Sequence, residues 1–331
     1  MKKALYWEKT DTRTVRCLLC PHQCLIPDQK MGLCRARENI SGTLFSLSYG
    51  KITSLALDPI EKKPLYHFYP GSFILSLGSF GCNFFCPWCQ NYSISQADEK
   101  NVALENLSLD TLVRTAKEKK SIGLAYTYNE PLINFEFLMD CARAARENRL
   151  QNVLVTNGYI NPDPLREILP LIDAANIDIK TFRSETYGAK CSGTLRPVLD
   201  TVERFLFSKK HVELTYLVIP SLNDRLEEIG DLIGWVASLS REIPLHFSRY
   251  FPAYQYKERS TPDEHLQKFY QAAREKLDYV YLGNFQDEMT SRSSCPHCGS
   301  ALVKRVGYTV FRENLGDGIC RNCEKKVSFI G

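Results

Sequence analysis

The run Cys82-Asn-Phe-Phe-Cys86-Pro-Trp-Cys89 places three thiols within eight residues. A structural zinc takes four protein ligands, commonly as two separated pairs. Disulfides need even numbers and an oxidising compartment. Three thiolates on one loop suit a cubic iron–sulfur cluster with one iron left open, and an open iron can bind a further molecule. The spacing therefore reads as a working site rather than a clamp.

Two more cysteine groups flank it. Cys295-x2-Cys298 and Cys320-x2-Cys323 stand 21 residues apart, with glycine after the first pair. Two such knuckles make a tetrahedral zinc ribbon of four cysteines, a rubredoxin-type iron being the minority alternative. A segment of ~43 residues cannot build an adequate core, so metal would supply its folding energy. At the other end Cys17, Cys20 and Cys24 are as compact as a cluster loop, and Cys34 follows ten residues later. Zinc and a second iron–sulfur cluster both fit there. Four thiolates leave no open iron, so a cluster on them would carry electrons. His22 is a further candidate ligand, although a surface position beside Pro21 is the simpler reading. Cys141 lies on a helical pattern and reads as a small core residue. Cys191, in a loop with glycine and serine, receives no role.

These groups sit in a chain of 331 residues with 44% hydrophobic and 24% charged content, the profile of a soluble globular protein. No apolar run approaches the ~20 residues of a membrane helix. The start, MKKALYWEKTDTRTVRC, lacks the apolar stretch of a signal peptide. The expected location is a reducing cytoplasm, where 13 cysteines argue for metals over disulfides. Net charge is only +4. Residues 289–331 carry seven basic against three acidic side chains. That balance would permit nucleic acid, but a solvated surface is the simpler account, and Tyr308 and Phe311 alone make no stacking platform.

Between the second and third cysteine groups, short apolar runs near 73–79, 122–128, 152–157, 175–180, 212–219 and 244–251 read as strands, with a seventh at 279–284. Amphipathic patterns such as LDTLVRTAKEKK and EEIGDLIGWVASL separate them. Alternation of this kind implies βαβ units and parallel strands. The expected fold is α/β, a barrel or partial barrel, with a doubly wound open sheet as the alternative. No glycine-rich phosphate turn follows the first strand. The three thiols instead sit just past its C-terminal end, where parallel α/β folds form their active sites.

C-x3-C-x2-C after the first strand resembles the signature of radical S-adenosylmethionine (SAM) enzymes. CLLCPHQC, YTYNEP, NIDIKTF, LVIPSLND, LHFSRYFP and the terminal CPHCG and CRNC extend the similarity over nearly the whole chain. They resemble the radical SAM member of the AmmeMemoRadiSam system, related to pyruvate formate-lyase activating enzymes. The resemblance implies a partial (β/α)6 barrel and a [4Fe–4S] cluster on Cys82, Cys86 and Cys89 whose fourth iron chelates SAM. Reductive cleavage then yields a 5′-deoxyadenosyl radical that abstracts hydrogen from a substrate. It also implies site residues. Trp88 stands where the family sets an aromatic against adenine. Tyr128, Asn129 and Glu130 replace a Gly-Gly-Glu-like turn that receives the ammonium. Thr156 and Asn157 match the third-strand turn, with Val155 in place of an aspartate. Asp178 and Lys180 match an acidic–x–basic pair on one strand face. His246 and Arg249 are weaker candidates toward SAM or substrate. The structural alternatives are an ion pair at a barrel rim for Asp178 and Lys180, and a helix N-terminal charge for Glu130.

The expected organisation is a Cys-rich metal-binding module over 1–70, the radical SAM barrel over 71–288 and a zinc ribbon over 289–331. Expected partners are an electron donor such as flavodoxin or ferredoxin, with Memo-like and AMMECR-like proteins as neighbours. Two rival functions are a glycyl-radical activating enzyme acting on a protein and, in another class, an iron–sulfur electron carrier with zinc modules.

Overall fold

The computed structural model describes residues 1–285 and 287–331. Its centre is an eight-stranded sheet. Strand β1 (Ser54–Pro59) runs antiparallel to β2 (Phe73–Gly78). Then β2, β3 (Gly123–Tyr126), β4 (Gln151–Thr156), β5 (Ala174–Asp178), β6 (His211–Val218), β7 (Leu245–Arg249) and β8 (Val280–Gly283) follow in sequence order, all parallel. The order never reverses, so the doubly wound alternative, which needs a switch point, is not the arrangement. The parallel strands are almost wholly buried, as expected when helices cover one face and the sheet encloses a core on the other.

The covering helices include α1 (Leu109–Glu118), α2 (Phe135–Glu147), α3 (Leu195–Phe207), α4 (Leu226–Leu239) and α5 (Asp263–Arg274). The Ser108 side chain caps α1 by accepting from the Thr111 N–H. Each helix returns the chain so that successive strands start at the same end. The loops after β2, β3, β4 and β5 therefore all open on one side.

Segment 60–72 links the two edges of the sheet. It follows β1, yet Tyr66 lies 4.7 Å from the ring of Tyr281 in β8, and the Tyr281 hydroxyl donates to His67 Nε2 at 2.5 Å. The chain's last residues join the same seam: Ile330 N donates to His67 O, Tyr69 N donates to Ile330 O, and Phe329 stacks on His67 at 3.8 Å.

Before β1, two small antiparallel sheets carry the N-terminal cysteines. A buried pair anchors them to α2: Arg37 reaches Glu136 Oε1 at 2.5 Å, and Leu5 N donates to the same oxygen. Because β1 lies within residues 1–70 and pairs along its whole length with β2, the central sheet reaches back past residue 71.

Candidate active site

The cysteine loop leaves the end of β2 under tight backbone control. Gly81 has φ +82°, and a Cβ there would meet the carbonyl oxygen of Cys34 at 2.2 Å, so only glycine fits. Asn129 clamps the loop's entry: its Oδ1 accepts from Ser79 N, and its Nδ2 donates to Phe80 O and Gly81 O. The expected cofactor role falls on the turn's backbone carbonyls; the Asn129 amide holds the loop. The adjoining Tyr128 takes a left-handed φ of +73°, a strained setting for a tyrosine. Its hydroxyl donates to Asp58 at 2.5 Å, and its carbonyl accepts from Asn91.

Cys82, Cys86 and Cys89 all line one cavity of about 1270 Å³. The same cavity is lined by Trp88, Tyr128, Asn129, Glu130, Thr156, Asn157, Asp178, Lys180 and His246. Of the residues expected toward SAM or substrate, all but Arg249 thus face the same space as the three thiols. The parallel strand order accounts for most of this, since β2 to β5 end side by side. Arg249 is not among the lining residues and pairs with Asp263. Val155 also faces the cavity, as an apolar wall.

The thiols have the surroundings of cluster ligands. Phe84 N donates to Cys82 Sγ at 3.3 Å, Asn157 Nδ2 lies 3.8 Å from it, and Ser95 Oγ is 3.2 Å from Cys89 Sγ. Burial pushes the Cys82 and Cys89 thiols up. For Cys86 the contact with Cys191, Sγ to Sγ 3.6 Å, leads, and burial adds to it. N–H donors aimed at sulfur, as at Cys82, support bound thiolates, so the donor set fits an iron–sulfur cluster. Cys191, without a role on sequence grounds, is set by the structure against a proposed ligand. Cys141 is fully buried in the core, as its helical pattern implies.

Glu130 ties the ends of β3 and β4 together. Its Oε1 accepts from Thr156 Oγ1 and Leu132 N, and its Oε2 accepts from Asn157 N. Burial pushes its carboxyl up to about 7 against those bonds. It also caps the turn that precedes α2, so the helix N-terminal alternative holds alongside its place on the cavity wall. Lys180 Nζ lies 2.8 Å from Asp178 Oδ2, both part-exposed to the cavity. Burial opposes the Lys180 charge, but Asp178 and Cys86 outweigh it and raise its pKa. Trp88 is buried, its loop pinned where Gln255 and Tyr256 N–H groups donate to Pro87 O.

His246 sits deeper. Its Nε2 is 2.6 Å from Glu213 Oε2, and its ring packs with those of Tyr66 (4.8 Å) and Tyr281 (5.1 Å) in a three-ring cluster. Around it the cavity is lined by residues that no sequence pattern joins: Glu61, Lys63 and Tyr66 from segment 60–72, and Arg305 and Tyr308 from the hairpin Ala301–Val306 and Thr309–Arg312. Glu61 Oε2 and Arg305 Nε are buried without hydrogen-bond partners, among the described residues. At about 1270 Å³ the cavity exceeds the ~300–1,000 Å³ of a single small-ligand site.

The terminal cysteines also meet. The ligand atoms of Cys295, Cys298, Cys320 and Cys323 all lie within 4.8 Å of one another, with Cys295–Cys323 and Cys298–Cys320 at 3.7 Å. Tetrahedral Zn–S bonds of ~2.3 Å place sulfurs about 3.8 Å apart, so the set fits one zinc ion.

The radical SAM superfamily profile matches residues 77–233. An uncharacterised protein of Methanocaldococcus jannaschii is 40% identical over 335 aligned residues, covering 100% of both chains. The chain contains a radical SAM domain. Members of that superfamily carry a [4Fe–4S] cluster and use SAM. The pyruvate formate-lyase-activating enzyme of Clostridium pasteurianum is 25% identical over 48% of this chain and 67% of its own. The corresponding Escherichia coli K12 enzyme is 24% identical over 44% of this chain and 60% of its own. Among solved structures, Streptococcus suis SuiB bound to S-adenosylmethionine superposes with a TM-score of 0.50 at 14% identity, over 64% of this chain and 52% of SuiB. That likeness is one of fold. Among the described residues, no helix is long and apolar enough to cross a membrane.

Proposed function

We propose that this radical SAM protein cleaves SAM reductively and abstracts hydrogen from a second molecule bound deeper in the same cavity. The observation that carries the reading is the sharing of one cavity by Cys82, Cys86, Cys89 and the strand-end residues Glu130, Thr156, Asp178 and Lys180. Cys82, Cys86 and Cys89 would hold the cluster. Bound there, the cluster and SAM supply one-electron scission of a carbon–sulfur bond and hydrogen abstraction.

The chain's own residues bind and orient. Asp178 and Lys180 offer one charge of each sign to a ligand carrying an ammonium and a carboxylate. Trp88 offers an apolar face for adenine. Asn129 and Glu130 keep the loop and strand ends in register. His246, Tyr66, Glu61 and Arg305 line the remaining space, a polar pocket for the substrate.

In this reading the sheet is a partial (β/α)6 barrel, the four terminal cysteines hold zinc, and the protein stands with the AmmeMemoRadiSam group. Its electrons would come from a flavodoxin or ferredoxin in the cytoplasm, with Memo-like and AMMECR-like proteins as functional neighbours. Similarity to activating enzymes supports a second reading, a protein substrate that receives a glycyl radical. A simple electron carrier would have no use for a cavity of this volume.

The test is anaerobic reconstitution followed by dithionite and SAM. Release of 5′-deoxyadenosine is expected from the parent, and none from Cys82→Ala, Cys86→Ala or Cys89→Ala. Undiminished release from any one of these variants would overturn the assignment. Supplying small metabolites or candidate proteins then separates the two substrate readings by which one increases the yield.

A further inference from the structure

We infer that Cys86 and Cys191 form a redox pair. In the cluster-free chain, hydrogen peroxide oxidises Cys86 from the cavity, and Cys191 closes a disulfide that keeps the Cys86 sulfur recoverable.

The two sulfurs lie 3.6 Å apart across 105 residues of sequence, in direct contact. Both thiols are free. A disulfide of ~2.05 Å needs them to close by about 1.5 Å, a movement shared by two side chains.

Backbone contacts hold the pair in place. Phe85, the residue before Cys86, donates its N–H to the carbonyl oxygen of Cys191 at 3.1 Å. Cys191 ends a wide turn over Tyr187–Cys191, and Ser192 leaves it in the left-handed region at φ +61°. Gly193 then lies flat on Phe84, where a Cβ would meet the ring's Cε1 at 2.3 Å. At the turn's other end the Tyr187 hydroxyl accepts from Lys180 N at 3.1 Å, and its ring meets Phe84 edge-on at 5.8 Å. The turn is thus tied to the cysteine loop at Phe84 and Phe85, and to the chain just past β5 at Lys180.

Access differs between the two thiols. Cys86 lines the cavity, so a small oxidant can reach it. Cys191 is fully buried and is not among the lining residues. A buried cysteine packed on carbon alone serves as a small apolar residue. Cys191 instead sets its sulfur against the sulfur that the cavity exposes. That is where a resolving cysteine has to stand.

The chemistry balances. Peroxide transfers one oxygen to the Cys86 thiol, giving a sulfenic acid and one water. The Cys191 sulfur attacks the Cys86 sulfur, the S–O bond breaks, and the oxygen leaves with the Cys191 proton as a second water. Two thiols give two electrons to one peroxide, and a dithiol reductant returns them. Without Cys191, a second peroxide carries Cys86 on to sulfinic acid, which thiols do not reverse. The disulfide itself does not depend on the radical SAM reading. Its consequence does: a Cys86 sulfur bonded to Cys191 cannot ligate iron, so cluster loading waits for reduction.

The test uses the full-length chain, reduced and iron-free under argon. It is treated with hydrogen peroxide, alkylated and digested without reductant. Mass spectrometry should find the peptide of Cys86 joined to that of Cys191, with Cys86 assigned as the linked residue by fragmentation. Cys86 joined to Cys82 or Cys89, or present as sulfinic acid in the parent, would overturn the pair. Peroxide-treated parent should regain its iron after a dithiol and anaerobic reconstitution. Cys191→Ala should carry Cys86 as sulfinic acid and lose that recovery. Equal recovery in parent and variant would overturn the protective role. Cys191→Ser replaces the alanine variant should that one not fold. A reduced parent that takes up no iron would sink the cluster reading, while the mapped linkage still decides the pair.

Discussion

Arg305 of the C-terminal hairpin lies 4.1 Å over the ring of Tyr66 and donates to that residue's carbonyl oxygen at 2.6 Å. The same guanidinium donates to Ser291 O and Ser293 Oγ, and its Nε is 3.8 Å from Glu61 Oε1. One fully buried side chain thus fastens the cysteine-bearing tail to the segment that links the sheet's two edges, at the cavity wall.

Arg305→Met should therefore cost about 3–5 kcal/mol, since it leaves the buried Glu61 carboxylate with the Gly71 N–H but no counter-charge. Arg305→Lys should recover little, because an ammonium cannot reproduce the planar fork over the ring. Adding Glu61→Gln to Arg305→Met should cost less than the separate losses summed. Urea denaturation of the four proteins checks this, and strict additivity would show that the pair does not interact.

Asn129 makes three hydrogen bonds to the backbone of Ser79, Phe80 and Gly81, just ahead of the first proposed cluster ligand. Asn129→Gly, the residue type of the related activating enzymes' turn, removes them all. At about 0.5–1.5 kcal/mol for each bond, the loop loses on the order of 2–4 kcal/mol of restraint. The reconstituted variant should bleach in air at least tenfold faster than the parent, followed by visible absorbance. An unchanged rate would mean the clamp is not what holds the loop.

Acid should loosen the tail through His67. Burial, aided by His211 and Arg305 and opposed by Glu213, pushes its pKa down to about 3. The folded chain keeps it neutral, between Ser328 O and the Tyr281 hydroxyl. The unfolded chain binds a proton below about 6.5. Its contribution is therefore complete above that pH and declines between about 6.5 and 3. There the parent's stability should fall by up to about 1.4 kcal/mol per pH unit more than that of His67→Gln. Denaturation midpoints at pH 7 and pH 5 give the comparison, and parallel losses would remove His67 as the cause.

The sequence made the parallel strands legible because period and length agree: runs such as ANIDIK and VELTYLVI have nothing else to be. It made the thiols legible because metal ligands declare themselves by short spacing. It concealed β1, whose Ser54–Pro59 run is short and half-exposed with no alternation to mark it. Asn129 reads as a defect in a glycine turn, since nothing local reveals that its amide reaches back 48 to 50 residues to the cysteine loop. Glu61, Tyr66 and Arg305 are invisible in sequence for a similar reason. Their meeting depends on the last strand and the tail closing on segment 60–72, a contact across more than 230 residues.

Asp178 and Lys180 test the SAM pocket apart from the cluster. Their side chains pair at 2.8 Å and remain partly open to the cavity that the three cysteines line. A ligand with an ammonium and a carboxylate can exchange that internal pair for two of its own. Each lost partner then leaves a desolvated charge short of a bond, at roughly 1–3 kcal/mol. Asp178→Ala and Lys180→Ala should each weaken SAM binding about tenfold or more, since ~1.4 kcal/mol is one decade. Neither is a proposed ligand, so iron content and the cluster's visible spectrum should match the parent. Equilibrium binding of SAM to the anaerobic protein measures the effect. Parent-like affinity in both variants would reduce the pair to a structural ion pair at the strand end, and would leave the carbonyl groups of Tyr128 and Asn129 as the remaining candidates for the ammonium.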